Sequence, residues 1–130
     1  MRLTSLFLGV GFLVSSGFAA ASEACDNANT QMELTQCTAQ AYQAADGELN
    51  EAYQELISKL SQSSSDQLRA AQRAWIAFRD AECAYESSAV EGGSAQPMVR
   101  NGCLTALTKQ RTERLREHAS CEEGDMSCSW

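Results

Sequence analysis

The sequence predicts an all-α fold, a small antiparallel bundle of three main helices stapled by disulfides. Three observations carry this. Apolar residues recur every three or four positions through long segments, the spacing of one helix face. No run has the alternation or β-branched richness of a strand, and no repeat is present. Six cysteines lie in a short chain containing a single histidine.

The stretch with the strongest pattern is LRAAQRAWIAFRDAEC, Leu68 to Cys83. Leu68, Ala71, Trp75 and Phe78 form a helical row that Tyr85 continues, and the large rings of Trp75 and Phe78 mark it as the expected core stripe. A second row, Ala70, Ala74, Ala77, Ala81 and Ala84, has small side chains against which another helix could approach closely. The helix is expected from about Asp66, capped by Ser64 or Ser65, to about Val90, ending at Gly92-Gly93.

Before it, Thr30 reads as an N-cap with Glu33 as capping-box partner. Leu34, Cys37, Ala41, Ala45, Leu49, Ala52, Leu56 and Leu60 then recur in helical phase, widened by Met32, Tyr42, Tyr53 and Ile57. Asp46-Gly47 is a turn dipeptide, but the apolar phase runs through it, which favours one long helix, with a kink at Gly47 as the variant, over two. Glu48, Glu51 and Glu55 line one face, available to Arg69 and Arg73 of the next helix. The polar connector Ser61–Asp66 is short enough to join antiparallel neighbours. After the glycines, Ser94 or Gln96 with Pro97 opens a third helix whose stripe is Val99, Cys103, Leu104, Leu107, Arg111 and Leu115.

At the start of the chain, Met1-Arg2, the apolar run Leu6–Val14 and Ala19-Ala20-Ala21 have the layout of a secretory signal peptide, with cleavage expected after Ala21. The run is too short for a membrane span of about 20 residues. Acylation at Cys25 is disfavoured because Ser22-Glu23-Ala24 lacks the aliphatic and small residues expected before a lipidated cysteine. The expected division is therefore 1–21 signal, 22–120 helical domain and 121–130 a short acidic tail, giving a periplasmic or secreted protein without a membrane anchor.

All six cysteines, Cys25, Cys37, Cys83, Cys103, Cys121 and Cys128, follow the signal segment. An even number in a short exported chain reads as a disulfide framework. Close C-x-x-C pairs, which zinc or redox chemistry would want, are absent. A hairpin about Gly92-Gly93 would bring Cys83 opposite Cys103. Cys25–Cys37 would fold the N-terminal segment onto the first helix, and Cys121–Cys128 would close the tail. Six cysteines allow 15 connectivities, so this set is a preference among them.

The charge is −7, and −8 once Arg2 leaves with the signal. Such a surface repels nucleic acid and anionic lipid and attracts cationic partners. Nothing reads as catalytic. His118 stands near a helix end, Asp80 and Glu82 point in different directions on one helix, and Gly92-Gly93 lacks the lysine of a phosphate loop. Arg79 is expected either to neutralise a buried carboxylate or to lie on the surface. No cofactor is implied.

Cys37, the Ala45-Asp46 to Leu49-Asn50 and Tyr53 run, AQRAWIAFRDAEC, the Gly-Gly-Ser turn, and Cys103 with Thr108 and Arg111 resemble the lysozyme inhibitor LprI N-terminal domain family. The resemblance spans about residues 25–116. It implies a secreted or periplasmic, non-enzymatic helical domain with paired cysteines, and a basic lysozyme or another envelope protein as partner. The chain departs from the lipoprotein that gives the family its name by lacking a convincing lipobox, and its tail lies outside the shared pattern. Glu91, Gly92, Gly93 and Ser94 form the one irregular segment between well-supported helices, and are the expected partner-binding residues. The rival reading is a structural or immunity-type module that sequesters a different envelope partner.

Overall fold

The computed structural model describes residues 25–122 and 124–130; the expected signal segment, 1–21, lies outside them. Among the described residues, the main helices are α1 (Gln31–Lys59), α2 (Gln62–Glu86) and α3 (Gln96–Ala119), with a 3-10 turn at Ser88–Val90. No strand is present among the described residues.

α1 starts at a capping box. The Thr30 hydroxyl accepts from the Glu33 amide, and the Glu33 carboxylate accepts from the Thr30 amide. The helix continues without a break through Gly47. α2 begins earlier than the sequence suggested. Ser61, not Ser64 or Ser65, caps it, with its Oγ accepting from the Ser64 amide, so the connector shrinks to a tight turn around Leu60 and Ser61. α2 also ends earlier, at Glu86, because the buried Ser87 hydroxyl donates to the Cys83 carbonyl and the chain tightens into the 3-10 turn. α3 starts at Gln96 after Ala95, which provides no side-chain cap, and Pro97 occupies its first turn.

The contacts fix the directions of the helices. Cys83 meets Cys103, Arg79 meets Thr108 and Gln72 meets Arg111, so α2 runs antiparallel to α3. Gln31 reaches Met98, Thr38 reaches Asn101 and Glu48 reaches Arg116, so α1 and α3 run parallel and lie along most of each other's length. The bundle is up-down-up, with α3 the helix against which the others pack.

Two apolar clusters form the core. Toward the α1–α2 turn, Leu49, Ala52, Leu56, Leu115 and Ala119 pack together under Tyr53, Leu60, Leu68 and Trp75. Toward the opposite end, Cys83, Cys103 and Leu104 pack with Tyr42 and Leu107. α1 presents the face its sequence predicted, except that Met32 is 70% exposed. On α3 the buried row is Cys103, Leu104, Thr108, Thr112 and Leu115, with Arg111 and Leu107 at its margin.

The expected core stripe of α2 is displaced. The buried side chains of α2 are Ser65, Gln72, Arg79 and Cys83, with Leu68 and Trp75 half-buried beside them. Phe78 is 53% and Tyr85 73% exposed, and Ala71 and the five-alanine row face outward. α2 has apolar residues on two opposite sides, and the bundle uses the side that also contains Arg79. The Glu–Arg pairing expected between α1 and α2 is also not made: Glu48 pairs with Arg116, Glu55 with Lys59, and Arg69 with Asp66.

The bridges are Cys25–Cys37, Cys83–Cys103 and Cys121–Cys128. The tail folds back on the α1–α2 end of the bundle. Lys59 Nζ donates to the last helical carbonyl, Ala119, at 2.7 Å and lies over the Trp130 ring, while the Trp130 indole N–H donates to the His118 carbonyl. A cation at a helix C-terminus compensates the free carbonyls there.

Candidate functional site

The segment between α2 and α3 is built by local hydrogen bonds. The Gly93 amide donates to Val90 and the Gln96 amide to Gly93. The Gly92 amide donates to the side-chain Oε1 of Gln96 at 3.1 Å. Gly92 has φ of 76°, a left-handed conformation that a Cβ would disfavour, which is why glycine stands at this point of the turn. Glu91, Gly92, Gly93 and Ser94 are all exposed. Directly beneath, the fully buried Cys83 ties the end of α2 to the first turns of α3 through Cys103. The four residues singled out from the sequence thus come together as one exposed, internally braced turn. Gln31 against Met98 places the start of α1, with its Cys25–Cys37 bridge, at the same end.

Below this end lies a polar layer whose composition was only partly foreseen. Arg79 is 7% exposed. Its guanidinium lies 5.5 Å from the Tyr42 ring centroid and 5.3 Å from that of Trp75, between helices α1 and α2. It pairs with Asp80 at 2.9 Å and with Asp46 of α1 at 3.8 Å, and donates to the fully buried Thr108 hydroxyl of α3 at 3.5 Å. Neither expectation for Arg79 holds as stated: the guanidinium is buried instead of on the surface, and the carboxylates it pairs with are nearly half-exposed instead of buried. Arg111 extends the layer, its guanidinium 5.8 Å from the Trp75 ring centroid and donating to Gln72 at 2.9 Å.

Burial shifts two of these groups. The Tyr42 phenol is pushed above its ordinary value by desolvation, which Arg79 opposes and Asp46 and Asp80 reinforce. The Arg111 guanidinium is lowered by desolvation, with Arg114 adding to the effect. No buried side-chain polar atom among the described residues lacks a hydrogen-bond partner. The layer is a satisfied interlock among three helices. It holds no group poised to transfer a proton. Thr108 and Gln72 entered the sequence reading only through the family resemblance, outside the helical rows named there.

In the tail, Cys121, Asp125 and Cys128 place ligand-type atoms within 4.8 Å of one another. Both sulfurs are bonded to each other, so they cannot serve as thiolate ligands. Asp125 instead accepts from the Ser127 amide and hydroxyl, each at 2.8 Å, and these bonds hold its carboxyl below the usual carboxylate range.

Comparison with known proteins places this architecture. The model of the family described as "Lysozyme inhibitor LprI" matches residues 21–115. The chain belongs to the LprI family. An uncharacterised protein of Rhizobium meliloti (strain 1021) is 37% identical over 106 residues, 72% of this chain and 76% of the relative. Among solved structures, that of a DUF1311 family protein from Pseudomonas putida KT2440 is similar with a TM-score of 0.64 and 31% identity, over 72% of this chain and 97% of the other. The LprI match includes both the braced turn and the Arg79 layer but stops at residue 115, before the tail that begins at Cys121. No helix among the described residues is long and apolar enough to cross a membrane.

Proposed function

We propose that this chain is a non-enzymatic binding protein of the cell envelope that inhibits a basic lysozyme, using the Glu91–Ser94 turn as its contact. The observation that carries the reading is the pre-organised turn. It is exposed, braced by Gln96 and anchored by Cys83–Cys103, so little conformational entropy remains to be lost when it enters a cleft. Membership of a family described as lysozyme inhibitors supplies the class of partner. The acidic charge supplies long-range attraction to a cationic protein and would raise the association rate. Export through cleavage after Ala21, leaving residues 22–120 as the domain and 121–130 as its tail, belongs to the same proposal.

The test is a cell-wall lysis assay in which residues 22–130, oxidised, are titrated against a basic c-type lysozyme at low and moderate salt. Saturable inhibition near stoichiometric ratios that survives moderate salt is expected. Alanine at Glu91 and Ser94 is expected to weaken it. Inhibition confined to low salt would reduce the effect to screened charge attraction, whose range is about 8 Å at physiological ionic strength. Inhibition unchanged by both substitutions would remove the turn from the mechanism. Absence of inhibition would favour the other binding role, sequestration of a different envelope partner.

A further inference from the structure

The outward face of α2 carries a pattern that the bundle does not use. Ala70, Ala74, Ala77, Ala81 and Ala84 recur at alternating intervals of four and three residues and are all exposed. That is the heptad period of a helix wound against a second helix, not the drift of an isolated surface helix. Ala71, Phe78 and Tyr85, seven apart, flank the row on one side, the two rings 53% and 73% exposed. The packed side of the same helix, centred on Gln72 and Arg79, lies diametrically opposite, so a partner could reach the row without disturbing the bundle. A contiguous apolar strip of this kind on a chain of charge −7 is what a protein interface leaves exposed when its partner is absent.

We infer that a second copy of this chain covers the strip, its α2 packed antiparallel against the first through the alanine row. Self-complementarity selects this occupant. Alanines alone leave a shallow groove, and filling it needs a close helix with a few large side chains at seven-residue spacing, which the strip itself supplies. In the antiparallel register that sets Ala74 opposite Ala77 of the other copy, Phe78 meets Ala71 across the interface. On the opposite flank the same register sets Arg73 against Asp80, twice by symmetry. Arg73 is exposed and makes no ion pair among the described residues. Asp80 is half-exposed, and both of its contacts with Arg79 use Oδ1, leaving Oδ2 for a further donor. A parallel pairing would offer Arg73 no such carboxylate.

The strip from Ala70 to Tyr85 is about 24 Å long at 1.5 Å per residue, so the contact belongs to the small, weak class of interfaces. Sedimentation equilibrium of the oxidised chain from about 5 to about 500 µM, a range chosen for such weak contacts, is therefore the test. A concentration-dependent monomer–dimer equilibrium is expected. Ala77→Glu should weaken it at least about 100-fold and Arg73→Glu about tenfold, each with helical circular dichroism unchanged, since both sites are exposed. A monomer throughout the range overturns the inference, as does a dimer indifferent to Ala77→Glu. Loss of dimer in Ala77→Glu with none in Arg73→Glu overturns the antiparallel arrangement.

Discussion

The guanidinium of Arg79 lies 5.3 Å from the Trp75 ring centroid, one helical turn earlier on α2, and both side chains face into the bundle. Because Arg79 also reaches Tyr42 and Asp46 on α1 and Thr108 on α3, this one side chain touches all three helices. Its replacement by alanine should cost about 2–4 kcal/mol, from lost ring stacking, a cavity and an orphaned Thr108 hydroxyl. Lysine should recover only part of this, since it lacks the planar fork. Urea unfolding of the oxidised protein followed at 222 nm measures both.

Gly47 and Gly92 should respond in opposite directions to alanine. Gly47 lies inside α1 with open space where a Cβ would stand, so alanine should stabilise by about 0.5–1 kcal/mol through helix propensity. Gly92 also has open space, but its φ of 76° strains any Cβ, and alanine should destabilise by about 1 kcal/mol. Thermal unfolding of the two single variants beside the parent decides the sign of each.

The bridges should differ in worth. Removing Cys83–Cys103 by paired alanine substitution should cost about 3 kcal/mol from loop-closure entropy, more if the buried sulfurs leave a void. Cys121–Cys128 closes a loop of separation 7 in a tail outside both core clusters, so its loss should leave the main unfolding transition nearly in place. Denaturant midpoints of the two double variants test the ranking.

Alkaline pH should loosen the polar layer. The Tyr42 phenol is raised in the folded state, so the folded protein holds that proton more tightly than the unfolded chain. The resulting stability is fully present below about pH 10, the unfolded value, and is lost as pH rises through the folded value. Tyr42→Phe should flatten this part of the stability–pH curve. Absorbance titration at 295 nm of the parent beside Tyr42→Phe should isolate the Tyr42 phenol ionising above its ordinary value.

The helices, their order and the apolar side of α1 were legible because amphipathic period is a direct consequence of burial. The capping box at Thr30 was legible for a similar reason, since its two hydrogen bonds need only local sequence. The orientation of α2 was not. Its Phe78 and Tyr85 row is more apolar than the row containing Gln72 and Arg79, and a single-sequence reading assigns the more apolar row to the core. The fold chooses the other because Arg79 finds two rings, two carboxylates and a hydroxyl there, of which Tyr42, Asp46 and Thr108 come from residues distant in sequence. The exposed turn was legible as irregular chain, whereas its bracing by the Gln96 side chain was not.

Two of the three bridges, Cys25–Cys37 and Cys83–Cys103, sit at the end of the bundle that bears the turn, while the far end is held by leucines. The molecule is therefore unevenly sensitive to thiol chemistry. A chain folded with its cysteines reduced would keep its leucine-packed half and lose definition where the turn is displayed. The shape offered to a partner then becomes a property acquired with oxidation, and the same polypeptide would be folded yet unready in a reducing compartment.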